Sequence, residues 1–228
     1  MYFTGANPRN SADDLFASAY SATDFVNTAG TDDADAINAV ADSLNHYFGI
    51  EVTGHTIGYV VDGDAAMAGY INQVAFLTNS VNAAFPPGAR RFGIAQAVAG
   101  NGKTIVEVAE PNSDLEGARS LLLARLPMGQ TDLNLALEAT SRWYPDQVFV
   151  VLANPVSRQR IEVLTQSALQ TGAVVNVIAL GDAAGQRDLS EISEATGGTF
   201  VAVGDQALDN LVERQKSAAQ AEGIVAAL

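Results

Sequence analysis

Two carboxylates separated by a single glycine, Asp62-Gly63-Asp64, close an apolar run that begins at Thr56. Side chains of this kind support two chemistries. Oxygen-only groups hold hard divalent cations such as Mg²⁺ or Ca²⁺, and one carboxylate can attack as a nucleophile while its neighbour moves a proton. Ile57, Tyr59, Val60 and Val61 are β-branched or aromatic, and so continuous a run reads as a strand buried on both faces of a parallel sheet. Asp62-Gly63-Asp64 then reads as a turn, with a helix from Met67 to Ala83 stopped by Phe85-Pro86-Pro87-Gly88. The two carboxylates therefore belong at the carboxyl end of a central strand, the edge at which open α/β sheets bind ligands.

Composition removes several other chemistries. The 228 residues contain no Cys, so disulfides, thiol nucleophiles and zinc-thiolate sites are excluded. His46 and His55 stand nine residues apart without a metalloprotease spacing and read as ordinary polar or cap residues. A formal net charge of -14, with only 12 Lys and Arg, argues against nucleic acid and anionic membranes, because both need clustered cations. No run approaches the ~20 apolar residues of a membrane span, so no direct insertion is expected, and the first residues lack the pattern of a signal peptide. Gly100-Asn101-Gly102-Lys103-Thr104 lacks the spacing of a phosphate loop.

The elements that must position the carboxylates follow an alternating order. Residues 1–46 read as an N-terminal arm with helical segments, one near Leu15, Phe16, Ala19 and Tyr20 and one over residues 32–49, where Ile37, Val40, Leu44 and Phe48 recur at helical spacing before Gly49. Residues 47–228 read as one domain. Arg91 to Val98 and Ile105 to Val108 are strands joined through Asn101-Gly102, a hairpin signal. Ser113-Asp114-Leu115-Glu116 is a capping box opening a helix through Leu122 and Leu126. A loop through Thr131 leads to a helix over 132–144, a strand over 148–152, and a helix over 157–171. After these come a strand over 174–180, a helix over 188–196, a strand over 200–203 and a helix over 206–221. Strands that alternate with helices predict a doubly wound α/β fold, with a mainly parallel six-stranded sheet and an antiparallel edge hairpin.

Four stretches in this order resemble the von Willebrand factor A domain, in its bacterial type, over about residues 47 to 221. They are Phe48-Gly49-Ile50, Tyr59-Val60-Val61-Asp62, Gly129-Gln130-Thr131-Asp132, and Leu189 to Gly198 with its Thr196-Gly197-Gly198 ending. The resemblance implies a Rossmann-like fold and a non-enzymatic module that binds a protein partner at the carboxyl edge of the sheet. It also implies a metal-ion-dependent adhesion site, with Asp62, Asp64, Thr131 and Asn154 as the candidate ligands of a divalent cation. Asp64 stands where the family has its first Ser, Ala66 where it has its second, and Asn154 where it has an Asp. The expected site is thus degenerate, with either no ion or a weakly bound Mg²⁺ or Ca²⁺. Such bacterial domains are often parts of larger membrane-anchored or cell-surface chains.

A second resemblance gives an enzyme. Asp62-Gly63-Asp64 after an apolar strand is similar to the Asp-x-Asp motif of the haloacid dehalogenase superfamily. That implies a Mg²⁺-dependent phosphatase or phosphotransferase with Asp62 as nucleophile and Asp64 as general acid/base. Asp182 and Asp188 would then hold the ion, and Arg158 or Arg160 would take the phosphoryl charge that a Lys usually takes.

Overall fold

The computed structural model describes residues 44–112 and 115–221. The helix expected near residue 15 and the opening of the capping box at Ser113-Asp114 lie outside them, as does most of the 32–49 segment.

Six strands form the central sheet. They are β3 (Thr56–Gly63), β4 (Arg91–Gly100), β5 (Lys103–Asn112), β6 (Gln147–Leu152), β7 (Val174–Leu180) and β8 (Phe200–Val203). Their order is β5-β4-β3-β6-β7-β8, parallel throughout except for the β4-β5 hairpin at one edge. Asn101 and Gly102 both take positive φ in that hairpin, as a two-residue turn matching the strand twist requires. The chain is thus α/β with the expected sheet. A smaller antiparallel pair, β1 (His46–Tyr47) and β2 (Ile50–Glu51), precedes it.

That small hairpin corrects the expected helix where the two can be compared. Residues 46–48 are not helical; Phe48 and Gly49 turn back with φ of 50° and 81°, so that Tyr47 pairs with Ile50. The helical spacing of Leu44 and Phe48 is overridden by burial. Tyr47 is wholly buried against the edges and faces of the Phe48, Tyr59 and Phe149 rings.

Helices cover both faces. One face carries α1 (Ile71–Ala83), α2 (Leu115–Leu123), α6 (Asp205–Ala221) and the small hairpin; the other carries α3 (Leu133–Ser141), α4 (Arg158–Thr171) and α5 (Ser190–Glu194). The period of two in each strand divides the core accordingly. Ile57, Tyr59 and Val61 of β3, with Phe149 and Val151 of β6, point to the first face. Val60, Val148, Val150 and Leu152 point to the second. Asp62 continues the Val60 row, so its carboxyl group is aimed at the α3 and α4 side. Among the described residues no helix is long and apolar enough to cross a membrane.

A close approach explains a glycine that sequence reading treats as loop punctuation. A Cβ on Gly198 would lie 2.0 Å from the Val175 carbonyl oxygen, so Thr196-Gly197-Gly198 is a tight underpass beneath β7. Thr196 secures it, its Oγ1 accepting from the Val175 amide at 3.0 Å. Also at the amino ends of the strands, Asp146 Oδ2 accepts from the amides of His55 and Thr56, both at 2.8 Å, fixing where β3 begins. Those two bonds hold the Asp146 carboxyl below the usual carboxylate range.

Candidate functional site

The sheet changes direction of winding between β3 and β6, since the crossover from β3 goes out to β4 and the chain later returns to β6 on the other side. Loops must part at such a switch point, which opens a crevice at the carboxyl ends of the strands. A cleft of about 350 Å³ lies there, bounded by Asp62, Asp64 and Thr131 on one side and by Asn154, Ser157 and Arg160 on the other. The structure therefore brings together all four residues singled out as candidate ligands. They come from the end of β3, the loop before α3 and the loop after β6.

Local chemistry positions each of them. Asp62 ends the apolar run of β3, and Gly63 is the last paired residue of the strand rather than part of a turn. A Cβ on Gly63 would lie 2.3 Å from the Ala97 carbonyl oxygen, so the close approach of β4 demands glycine here. Asp64 is the N-cap of a 3₁₀ turn, Ala65–Gly69, its Oδ1 accepting from the Ala66 amide at 3.0 Å. The helix expected from Met67 starts instead at Ile71, after that turn. The Thr131 loop is clipped to the Asp loop by two backbone bonds, Met128 N to Gly63 O at 3.0 Å and Ala65 N to Gly129 O at 3.1 Å.

Within the cleft Asp62 is the most heavily bonded group. Its Oδ1 accepts from the Thr131 hydroxyl and from the Asp64 amide at 3.1 Å. Burial nevertheless outweighs these bonds and pushes the Asp62 carboxyl up, with the Asp64 charge adding to the rise and Arg160 opposing it. The native state thus keeps its proton to higher pH than the unfolded chain does, and stability falls as pH rises from the unfolded value through the raised folded one. Asp62→Asn retains the acceptor oxygen and removes the buried charge. We expect it to stabilise the protein at pH 7 by on the order of 1 kcal/mol, about 2–4 °C in Tm for a chain of this size. The gain should vanish in melts run below about pH 4, the unfolded carboxyl range. A variant less stable than wild type at pH 7 would show that the ionised carboxylate is held favourably.

A divalent ion held in the manner the resemblance implies needs more than this set provides. Ala66 offers only its amide to Asp64 and no side-chain oxygen. Asp62 Oδ1 is already engaged by two donors, and a guanidinium shares the cleft. The residues present do not fit the full adhesion-type ion site. Among the described residues, no three carboxylate or imidazole side chains gather as a metal cluster. Asp182 and Asp188 lie outside the cleft, in the 3₁₀ turns after β7, so the acidic set of the phosphatase reading is not assembled.

Sequence reading named Arg158 or Arg160 only as the phosphoryl-charge partner of the enzyme reading and placed neither beside Asp62. In the structure the two arginines part. Arg158 pairs with Glu191 and reaches Glu162 at 3.6 Å. Arg160 Nη1 donates to the Thr131 carbonyl at 3.3 Å. The available signal was position: Arg160 stands three residues after Ser157, the N-cap of α4, directly behind Asn154. Trp143 packs at the end of α3, against Gly93, whereas its neighbour Tyr144 is exposed with φ of 49°.

No protein-family model matches this chain, and no curated protein matches it either. A search of solved structures returns the crystal structure of the SpRpn10 VWA domain, with a TM-score of 0.51 and 12% identity, over 71% of this chain and 95% of that one. An identity so low speaks for the fold alone. Strand order, edge hairpin and this likeness agree that the chain has a von Willebrand factor A-like fold.

Proposed function

We propose that this chain is a non-enzymatic protein-interaction module that receives a partner protein at the carboxyl edge of its sheet. The observation that carries the reading is the cleft at the switch point, where a buried polar floor meets an apolar rim. The floor is formed by Asp62, Asp64 and Thr131, each less than a tenth exposed. On the rim Val163 is 46% exposed, with exposed Pro155 and half-buried Val156 beside it in the lining. Exposed apolar side chains around a desolvated polar centre are how recognition surfaces combine affinity with register. The ion position is impaired in this reading, and Mg²⁺ or Ca²⁺ is held weakly, if at all, by Asp62, Asp64, Thr131 and Asn154. Recognition then falls to the protein surface itself. The acidic balance of the chain selects a protein over nucleic acid as the partner.

Site-specific photocrosslinking tests this directly. A photoreactive residue at Asn154 should give a discrete protein adduct in extract of the source cells. The same residue at Val174, exposed at the amino edge of the sheet, should give none. Adducts at Val174 alone, or equally at both positions, would place recognition elsewhere.

A further inference from the structure

The charge balance of the cleft is unusual for a site in which an ion is expected. Three of the residues lining it are carboxylic acids, Asp62, Asp64 and Asp132, and among the described residues that line it Arg160 is the one cation. Arg160 leaves the first turn of α4 and crosses to the opposite wall, where Nη1 meets the Thr131 carbonyl at 3.3 Å. The hydroxyl of the same Thr131 is bonded to Asp62. One guanidinium is therefore linked to the loop that holds Asp62, and its positive charge acts on the Asp62 carboxyl in a cleft that Asp64 also lines. Guanidinium suits this place because it stays charged when partly desolvated and offers several donors in one plane.

We propose that Arg160 is the resident cation of this cleft: it balances Asp62 and Asp64, holds the Thr131 loop, and so excludes a divalent ion from the position the fold provides. A positive charge on the cleft wall repels a second cation even at the effective dielectric of about 20 typical near a protein surface. It also makes a partner-independent counter-charge available, which an acidic chain otherwise lacks at this edge. The inference concerns how the cleft is neutralised and holds whether or not the cleft proves to be the recognition surface.

Calorimetric titration of the full chain with MgCl₂, MnCl₂ and CaCl₂ separates the possibilities. Wild type, Arg160→Lys and Arg158→Gln should show weak or no saturable binding up to millimolar metal. Arg158 is the control because its partners, Glu191 and Glu162, lie outside the cleft. Arg160→Gln should gain saturable binding at least about tenfold tighter, the scale of removing one nearby like charge. That gain should disappear in Arg160→Gln combined with Asp62→Ala. Rescue by Lys identifies charge rather than the bond to Thr131 as the cause. Equal affinity in wild type and Arg160→Gln, including none in either, overturns the proposal, as does weaker binding in Arg160→Gln. Arg160 is exposed on a helix, and circular dichroism of each variant verifies that the fold is intact.

Discussion

Replacing Gly63 by Ala is expected to cost at least about 3 kcal/mol, which in a chain of this size lowers Tm by roughly 6–12 °C. The reason is backbone, not side chain. The added Cβ would lie 2.3 Å from the Ala97 carbonyl oxygen and 3.0 Å from Val98 Cγ1, and Gly63 is paired with Val98 at the end of the β3-β4 ladder. A flexible side chain could swing aside, but a strand carbonyl cannot without breaking its own ladder. Its effect should reach the site, because Gly63 joins Asp62 to Asp64 and its carbonyl accepts from Met128 N at 3.0 Å. Gly69→Ala is the matched control, since a Cβ there meets nothing within 4 Å. Thermal melts of the two variants should differ by most of the Gly63 effect; similar Tm values would mean that β4 does not approach Gly63 so closely.

Gly63 also shows where sequence reading reached and where it stopped. Asp-Gly-Asp after an apolar run reads correctly as the carboxyl end of a central strand, because period and composition are local properties. Close approach between strands is a property of two segments far apart in sequence, so Gly63 reads as a turn residue when it is a strand residue. The central strands β3, β6 and β7 were legible because double burial leaves continuous apolar runs, and the short edge strand β8 by its apolar run Phe200–Val203. The edge strand β5 is longer than its apolar centre, extending from Lys103 to Asn112 with Glu107, Glu110 and Pro111 included. Edge strands carry such residues because one side is solvated, and the same residues disguise them in sequence. Of the site, Asp62, Asp64, Thr131 and Asn154 were recognisable through order and resemblance, and the structure gathers them in one cleft. Arg160 was named only as an alternative to Arg158, because nothing local says which of two arginines on one helix turn faces the sheet edge.

A second large effect is expected at the opposite end of the domain, where Tyr47→Ala should destabilise by about 3–5 kcal/mol, the range for truncating a buried aromatic side chain. Sequence reading placed this residue at the junction of an arm and a domain, and an arm residue of little contact would cost less than about 0.5 kcal/mol. The structure argues otherwise. Tyr47 is wholly buried, its ring centroid is 5.0 Å from Tyr59 and 5.1 Å from Phe149, and its hydroxyl is bonded to Thr78 of α1 at 3.1 Å. Tyr59 and Phe149 sit on β3 and β6, the two strands that flank the switch point, and their own rings stack at 5.7 Å. The small hairpin thus closes the face of the sheet opposite the cleft and braces the two strands that carry Asp62 and Asn154. Tyr47→Phe divides the effect. It keeps the rings and leaves the Thr78 hydroxyl its bond to the Val74 carbonyl, so it should lose only about 1 kcal/mol. Urea unfolding of both variants measures the two values, and a Tyr47→Ala cost below about 1 kcal/mol would return the hairpin to the status of an appendage.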